Sequence, residues 1–189
     1  MKKIITLCFT LTTTIMLAQN TQHSKIIDSL LQASIKENNI PAMAAAVITG
    51  DNVFYGTAGT ISNKSSEAVT DKTLFHIGSN TKAFTSFLAF QQIENGNLSL
   101  ETPFFSLFPE LKNDKNSAYH SITLKDLLSH NAQVQPFTAG AEFLSLKINA
   151  KTTESKRVEF AQQVLAEPIV EKGTYSNAGY VLAAMMIEK

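Results

Sequence analysis

The chain has 189 residues, 16 of them basic and 16 acidic, with a formal net charge of +0 and one cysteine. That balance supplies no basic field for nucleic acid, and a lone thiol rules out a disulfide framework or a thiolate metal cage. The length suits one domain able to bury a sizeable core.

The first 19 residues stand apart. Lys2 and Lys3 precede an apolar run from Ile4 to Ala18, interrupted by threonines at 6, 10 and 12–14. This is the pattern of a secretory signal peptide over residues 1–19, cut near Ala18 or Gln19. Residues 20–189 are then expected to be secreted or periplasmic and to lack cysteine, because Cys8 leaves with the signal. No second apolar stretch reaches the ~18 residues of a membrane helix, so no integral membrane segment is expected after signal removal.

Ile27, Leu31 and Ile35 recur at helical spacing, predicting a helix over His23–Asn38 that Pro41 terminates. Ala42–Thr49 is a continuous apolar run and predicts a buried strand. Gly50-Asp51 predicts a tight turn into a second strand, Asn52–Ala58, with Val53 and Tyr55 on one face and Gly56 and Gly59 marking its end. Ile61–Lys72 is a polar connection, and Thr73–Ile77 an extended approach to Ser79. Lys82–Asn95 predicts a helix closed by Gly96, burying Phe84, Phe87, Leu88 and Gln91. Asn97–Leu111 predicts an ordered loop with a short helical piece. Thr123 with Asp126 forms a capping box before Leu124, Leu127 and Leu128. Gln133–Ile148 has no clear period. A helix is predicted from Thr153 or Ser155 to Leu165, a loop over Pro168–Thr174, and a last helix over Asn177–Lys189 with Tyr180, Ala184 and Ile187 inward.

Two short motifs carry candidate chemistry. Ser79 and Lys82 form a Ser-x-x-Lys, and positions i and i+3 share a helix face. A serine hydroxyl needs a neighbouring base to become a nucleophile, and an amine held close can exchange its proton. Tyr175-Ser176-Asn177 is a Tyr-x-Asn at the foot of the last helix. Each motif alone is weak, since a Ser-x-x-Lys is expected roughly once by chance in such a composition. His23, His76, His120 and His130 have no metal-ligand spacing, so neither a metal nor another cofactor is expected. No Gly-x-Ser-x-Gly elbow supports a Ser-His-Asp triad on His76.

Taken together and in order, four stretches resemble the serine β-lactamase and penicillin-binding-protein-like family, in its class C branch. They are Ile40-Pro41 with its strand pair, Phe75–Thr85, Ile122–His130 and Tyr175–Tyr180, and Asn95–Leu100 fits the segment after the active-site helix. The resemblance implies an α+β fold, an antiparallel sheet flanked by helices with a mostly helical insert. It implies that Ser79 forms an acyl-enzyme, that Lys82 and Tyr175 move its proton, and that Asn177 holds the substrate amide and Lys82. The backbone N–H of Ser79 would supply half of the oxyanion hole. The substrate would be a lactam, a D-amino-acid peptide or an ester.

The family's third motif, a His/Lys-x-Gly on a strand lining the site, has no counterpart after Tyr175. Asn131-Ala132-Gln133 replaces its small-residue turn after His130. Residues 20–189 are therefore expected to be the N-terminal part of the domain, with the sheet incomplete and apolar faces exposed. Two alternatives to the hydrolase follow, a non-catalytic ligand-binding module of the same fold and an inactive fragment of it.

Overall fold

The computed structural model describes residues 22–112, 114–138 and 141–189. The signal peptide expected over 1–19 lies outside the described residues. The chain divides into two compact units, one ending at His76 and one running from Ile77 to Lys189; each is described by itself.

In the first unit, helix α1 (residues 22–38) ends where Asn39 turns left-handed at φ 53° and the Ile40 N–H bonds the Ile35 carbonyl at 3.0 Å. Strands β1 (Ala42–Thr49) and β2 (Asn52–Gly59) form an antiparallel hairpin, paired from Ala42 with Gly59 to Thr49 with Asn52. That register leaves Gly50-Asp51 as the predicted two-residue turn, with Gly50 at φ 57°. Helix α1 lies against β2. Asp28 accepts the Thr57 N–H at 2.9 Å, and a Cβ on Gly56 would come within 2.7 Å of the Ile27 side chain. Gly56 is therefore the contact point between helix and strand rather than the end of β2. Gly59 does end it, at φ 90°, where a Cβ would overlap the Pro41 carbonyl oxygen.

β1 is not the buried strand that its apolar run predicts. Ala44–Thr49 are exposed, and Val53 and Tyr55 face solvent from β2. Among the described residues β1 pairs only with β2, and a two-stranded sheet covered by one helix has only one face to bury.

The second unit opens with a 3-10 turn, Gly78–Asn80, leading into α2 (Thr81–Glu94). Gly96 at φ 76° ends α2; its N–H bonds the Ile93 carbonyl and the Asn97 N–H bonds the Gln92 carbonyl, the double closure of a Schellman cap. Short α3 (Phe104–Leu107) and the 3-10 turn Pro109–Leu111 bury Phe104, Phe105, Phe108 and Leu111. The capping box of α4 (Leu124–Leu128) forms as predicted, Thr123 and Asp126 each accepting the other's backbone N–H. The stretch without a period contains α5 (Ala141–Ser145), and its other described residues are irregular. Helix α6 (Thr153–Ala166) starts on a second capping box, Thr152 with Ser155, and α7 (Asn177–Glu188) on the Ser176 hydroxyl. Leu124, Leu127, Val164 and Leu182 are wholly buried at the centre, each contributing about 1.5–3 kcal/mol of transfer free energy.

Two helix faces differ from expectation. Phe84 and Phe87 on α2 are 63% and 68% exposed, and Ala89 is buried instead. Polar anchors set this rotation: Lys82 bonds Asn177 and Ser86 bonds Tyr180, so positions 82, 86, 89 and 93 face α7. On α7 the buried residues are Ala178, Gly179, Leu182, Ala183, Met185 and Met186, whereas Tyr180, Ala184 and Ile187 are only partly covered. Helices α2, α4 and α6 all pack on α7, which leaves it no single inward stripe.

Tyr119 staples the end of α6. Its hydroxyl lies 3.2 Å from the Glu167 carbonyl and 3.3 Å from that of Pro168, and burial, then the charge of Glu167, pushes its pKa up to about 12. Tyr119→Phe removes the buried hydroxyl from these carbonyls, which keep Asn116 and Gln135 as donors, and is expected to lower unfolding free energy by about 1 kcal/mol, read from the urea midpoint at unchanged slope. In Gly59→Ala, strain and overlap should destabilise the first unit, seen as earlier loss of amide-exchange protection across β1 and β2.

Candidate active site

Ser79 sits in the middle of the 3-10 turn that feeds α2, and Lys82 in the first turn of that helix. The Lys82 Nζ is 3.3 Å from Ser79 Oγ, as the i, i+3 spacing requires. Tyr175 immediately precedes the N-cap of α7, and Asn177 is the first residue of that helix. Packing of α7 against α2 carries both to the serine. The Tyr175 hydroxyl donates to Ser79 Oγ at 2.7 Å, and Lys82 Nζ donates to Asn177 Oδ1 at 2.6 Å. The four residues predicted from the two motifs thus meet in one place, across 95 and 96 positions of chain.

Their surroundings fix them. The Asn177 side-chain amide donates to the Phe137 carbonyl at 3.1 Å and its backbone N–H to the Pro136 carbonyl at 2.8 Å, which presents Oδ1 to the lysine. The Ser176 hydroxyl caps α7 through the Gly179 N–H and donates to the Gln135 carbonyl. The irregular stretch around Gln135–Phe137, with Phe137 at φ 45°, is therefore the support against which the Tyr-x-Asn is laid. Lys82 lies 4.6 Å from the centre of the Tyr175 ring and 5.4 Å from that of Tyr180.

With this geometry in view, comparison with known proteins decides the family. The Beta-lactamase family model matches residues 27–189. The chain belongs to the beta-lactamase family. A beta-lactamase of Escherichia coli (strain K12) is 32% identical over 124 residues, 66% of this chain and 32% of that protein. One from Pseudomonas fluorescens is 32% identical over 108 residues, 57% of this chain and 29% of that protein. A class C beta-lactamase structure superposes with TM-score 0.68 at 24% identity, over 89% of this chain and 44% of that one. A D-amino acid amidase from Ochrobactrum anthropi SV3 superposes with TM-score 0.66 at 22% identity, over 88% and 46%. The chain thus has part of the class C beta-lactamase fold, spanning about a third of the curated relatives' length and under half of the solved structures.

In this beta-lactamase-family chain the Tyr175 phenol is one perturbed group of the candidate site. Hydrogen bonding to Lys82 first, then to Ser79, and the charge of Lys82, hold the Tyr175 pKa below the ordinary phenol value against a smaller opposing effect of burial. Two residues beyond the motifs join the site. Tyr180 bonds Ser86 at 3.2 Å and donates to the Leu128 carbonyl at 2.9 Å. His130 places its ring 4.5 Å from that of Tyr175. Both lie in stretches that carry the family resemblance, but neither has a spacing that announces a role. Among the described residues no cluster could hold a metal ion, and no helix is long and apolar enough to cross a membrane.

Lys82→Met removes the largest cause of the lowered phenol pKa. The expected outcome is an upward shift of the Tyr175 titration, measured as the tyrosinate absorbance difference between each protein and its Tyr175→Phe counterpart.

Proposed function

We propose that the protein is a secreted serine hydrolase that forms an acyl-enzyme on Ser79. One observation carries the reading: the Ser79 hydroxyl oxygen receives both the Tyr175 phenol at 2.7 Å and the Lys82 ammonium at 3.3 Å. A binding module has no use for a hydroxyl with two proton partners.

The resting hydrogen bond runs from phenol to serine. Loss of one proton from the Tyr175–Lys82 pair reverses it, so that the serine donates and its oxygen gains electron density. That oxygen then attacks the substrate carbonyl. The pair takes the serine proton and returns it to the departing nitrogen or oxygen as the tetrahedral species collapses. Water, deprotonated by the same pair, releases the acyl group and restores the serine. Phenol and amine titrate together, so the base is the pair rather than either member. Asn177, holding Lys82 through Oδ1, also suits a substrate amide, and the Ser79 N–H suits one side of an oxyanion hole.

The substrate class we propose is a β-lactam, a D-amino-acid peptide or an ester. Support comes from fold neighbours that include a class C beta-lactamase in complex with cefoxitin and the D-amino acid amidase complexed with D-phenylalanine. Secretion rests on Lys2, Lys3 and the apolar run behind them, which would leave residues 20–189 as the N-terminal part of the mature domain.

Incubation with a fluorescent penicillin or fluorophosphonate tests the reading. Label should attach to wild type and be absent from Ser79→Ala. Lys82→Ala and Tyr175→Phe should each slow acylation by roughly 10²–10⁴-fold while the protein stays folded, the range for loss of a positioned acid–base group. The wild-type rate should climb with pH along a limb below the ordinary phenol value, and Tyr175→Phe should lose that limb. Equal labelling of Ser79→Ala would sink the assignment.

A further inference from the structure

His130 has no part in the proton transfers above, yet it grips the loop that delivers Tyr175 at two points. It follows α4 in a left-handed conformation, φ 60°. Its carbonyl accepts the Gly173 N–H at 3.1 Å, and its Nδ1 accepts the Ser176 N–H at 3.1 Å. Tyr175 lies between these two anchors, and the imidazole also stands beside Tyr180, ring centres 5.2 Å apart. An imidazole that accepts at Nδ1 is neutral and carries its proton on Nε2.

We infer that neutral His130 is a positioning residue that holds the Tyr175 phenol on Ser79, and that its protonation releases the phenol and switches the site off in acid. The inference rests on the reading of Ser79 as nucleophile. Protonation would turn Nδ1 from acceptor to donor against the Ser176 N–H, removing one of the two anchors. It would also set a second cation near Lys82, with Tyr175 and Tyr180 between. The titratable groups facing the ring are Tyr175 from the loop, Tyr180 from α7 and Lys82 from α2. Asp126 of α4 is committed to the Thr123 N–H and hydroxyl, and Glu171 and Lys172 on the loop are exposed. Among the described residues no carboxylate raises the His130 pKa; the causes acting on it are burial and Lys82. Burial first, and Lys82 second, hold the imidazole below its ordinary pKa of 6.5, so the site is locked at neutral pH and opens only as pH falls.

Asparagine separates titration from support: it tolerates φ near +60°, and its Oδ1 can replace Nδ1 as acceptor. Acylation of Ser79 is followed with the fluorescent penicillin or fluorophosphonate from pH 5 to pH 8 in wild type, His130→Asn and His130→Ala. The wild-type rate is expected to fall more steeply below 6.5 than above it, and His130→Asn to lose that extra steepness. His130→Ala, without an acceptor, is expected to be slower at every pH, by about 10- to 100-fold, as displacement of a catalytic group by an ångström would cause. Extra acid steepness retained in His130→Asn overturns the inference. The Ser176 amide resonance provides a second readout that needs no activity. It should follow the imidazole titration in wild type and stay flat in His130→Asn, and an amide indifferent to that titration overturns the inference even where Ser79 labels. An unlabelled Ser79 alongside a responsive Ser176 amide instead defeats the nucleophile assignment and leaves the hold of His130 on the loop intact.

Discussion

The contact between Lys82 and Asn177 governs the rest of the second unit. At 2.6 Å it ties the first turn of α2 to the first turn of α7. With the two helix origins pinned, Ser86 reaches Tyr180, Ala89 is buried, and the aromatic side of α2 turns outward. An ammonium held by a carbonyl oxygen and flanked by two aromatic faces is compensated by several weak partners rather than by one carboxylate.

Around this contact the backbone is used as scaffolding. Gln135, Pro136 and Phe137 have no regular structure, yet their carbonyls receive the Ser176 hydroxyl, the Asn177 N–H and the Asn177 amide. His130, Gln133 and Phe137 all adopt positive φ within eight residues. Such conformations are costly for residues with a Cβ and persist where surrounding contacts over-determine them. Here those contacts place the Tyr-x-Asn, so the irregular stretch is what gives the phenol its position.

Much of the fold was legible in the residues. The strand bounds, the two-residue turn, the Gly96 cap and the Thr123–Asp126 box each depend on interactions within a few positions, which is the range over which a sequence states its own structure. The faces of α2 and α7 were not legible. Apolar periodicity points to Phe84 and Phe87, but periodicity cannot say which neighbour a helix meets, and polar contacts to α7 outweighed it. The burial of β1 failed for a related reason, since an apolar run does not reveal how many strands stand beside it.

For the site the division is similar. Ser79 and Lys82 were fixed as neighbours by helical geometry alone, because three residues of helix bring two side chains onto one face whatever the fold. Tyr175 and Asn177 could be nominated from their motif, but a phenol and a serine separated by 96 positions meet only when α7 packs on α2. The contacts of His130 and Tyr180 arise from the packing of α7 on α4 and α2, because a ring-to-ring contact or a bond to a distant backbone N–H leaves no periodic trace in the chain. Local hydrogen bonding is written residue by residue; convergence is decided by which faces the folded core brings together.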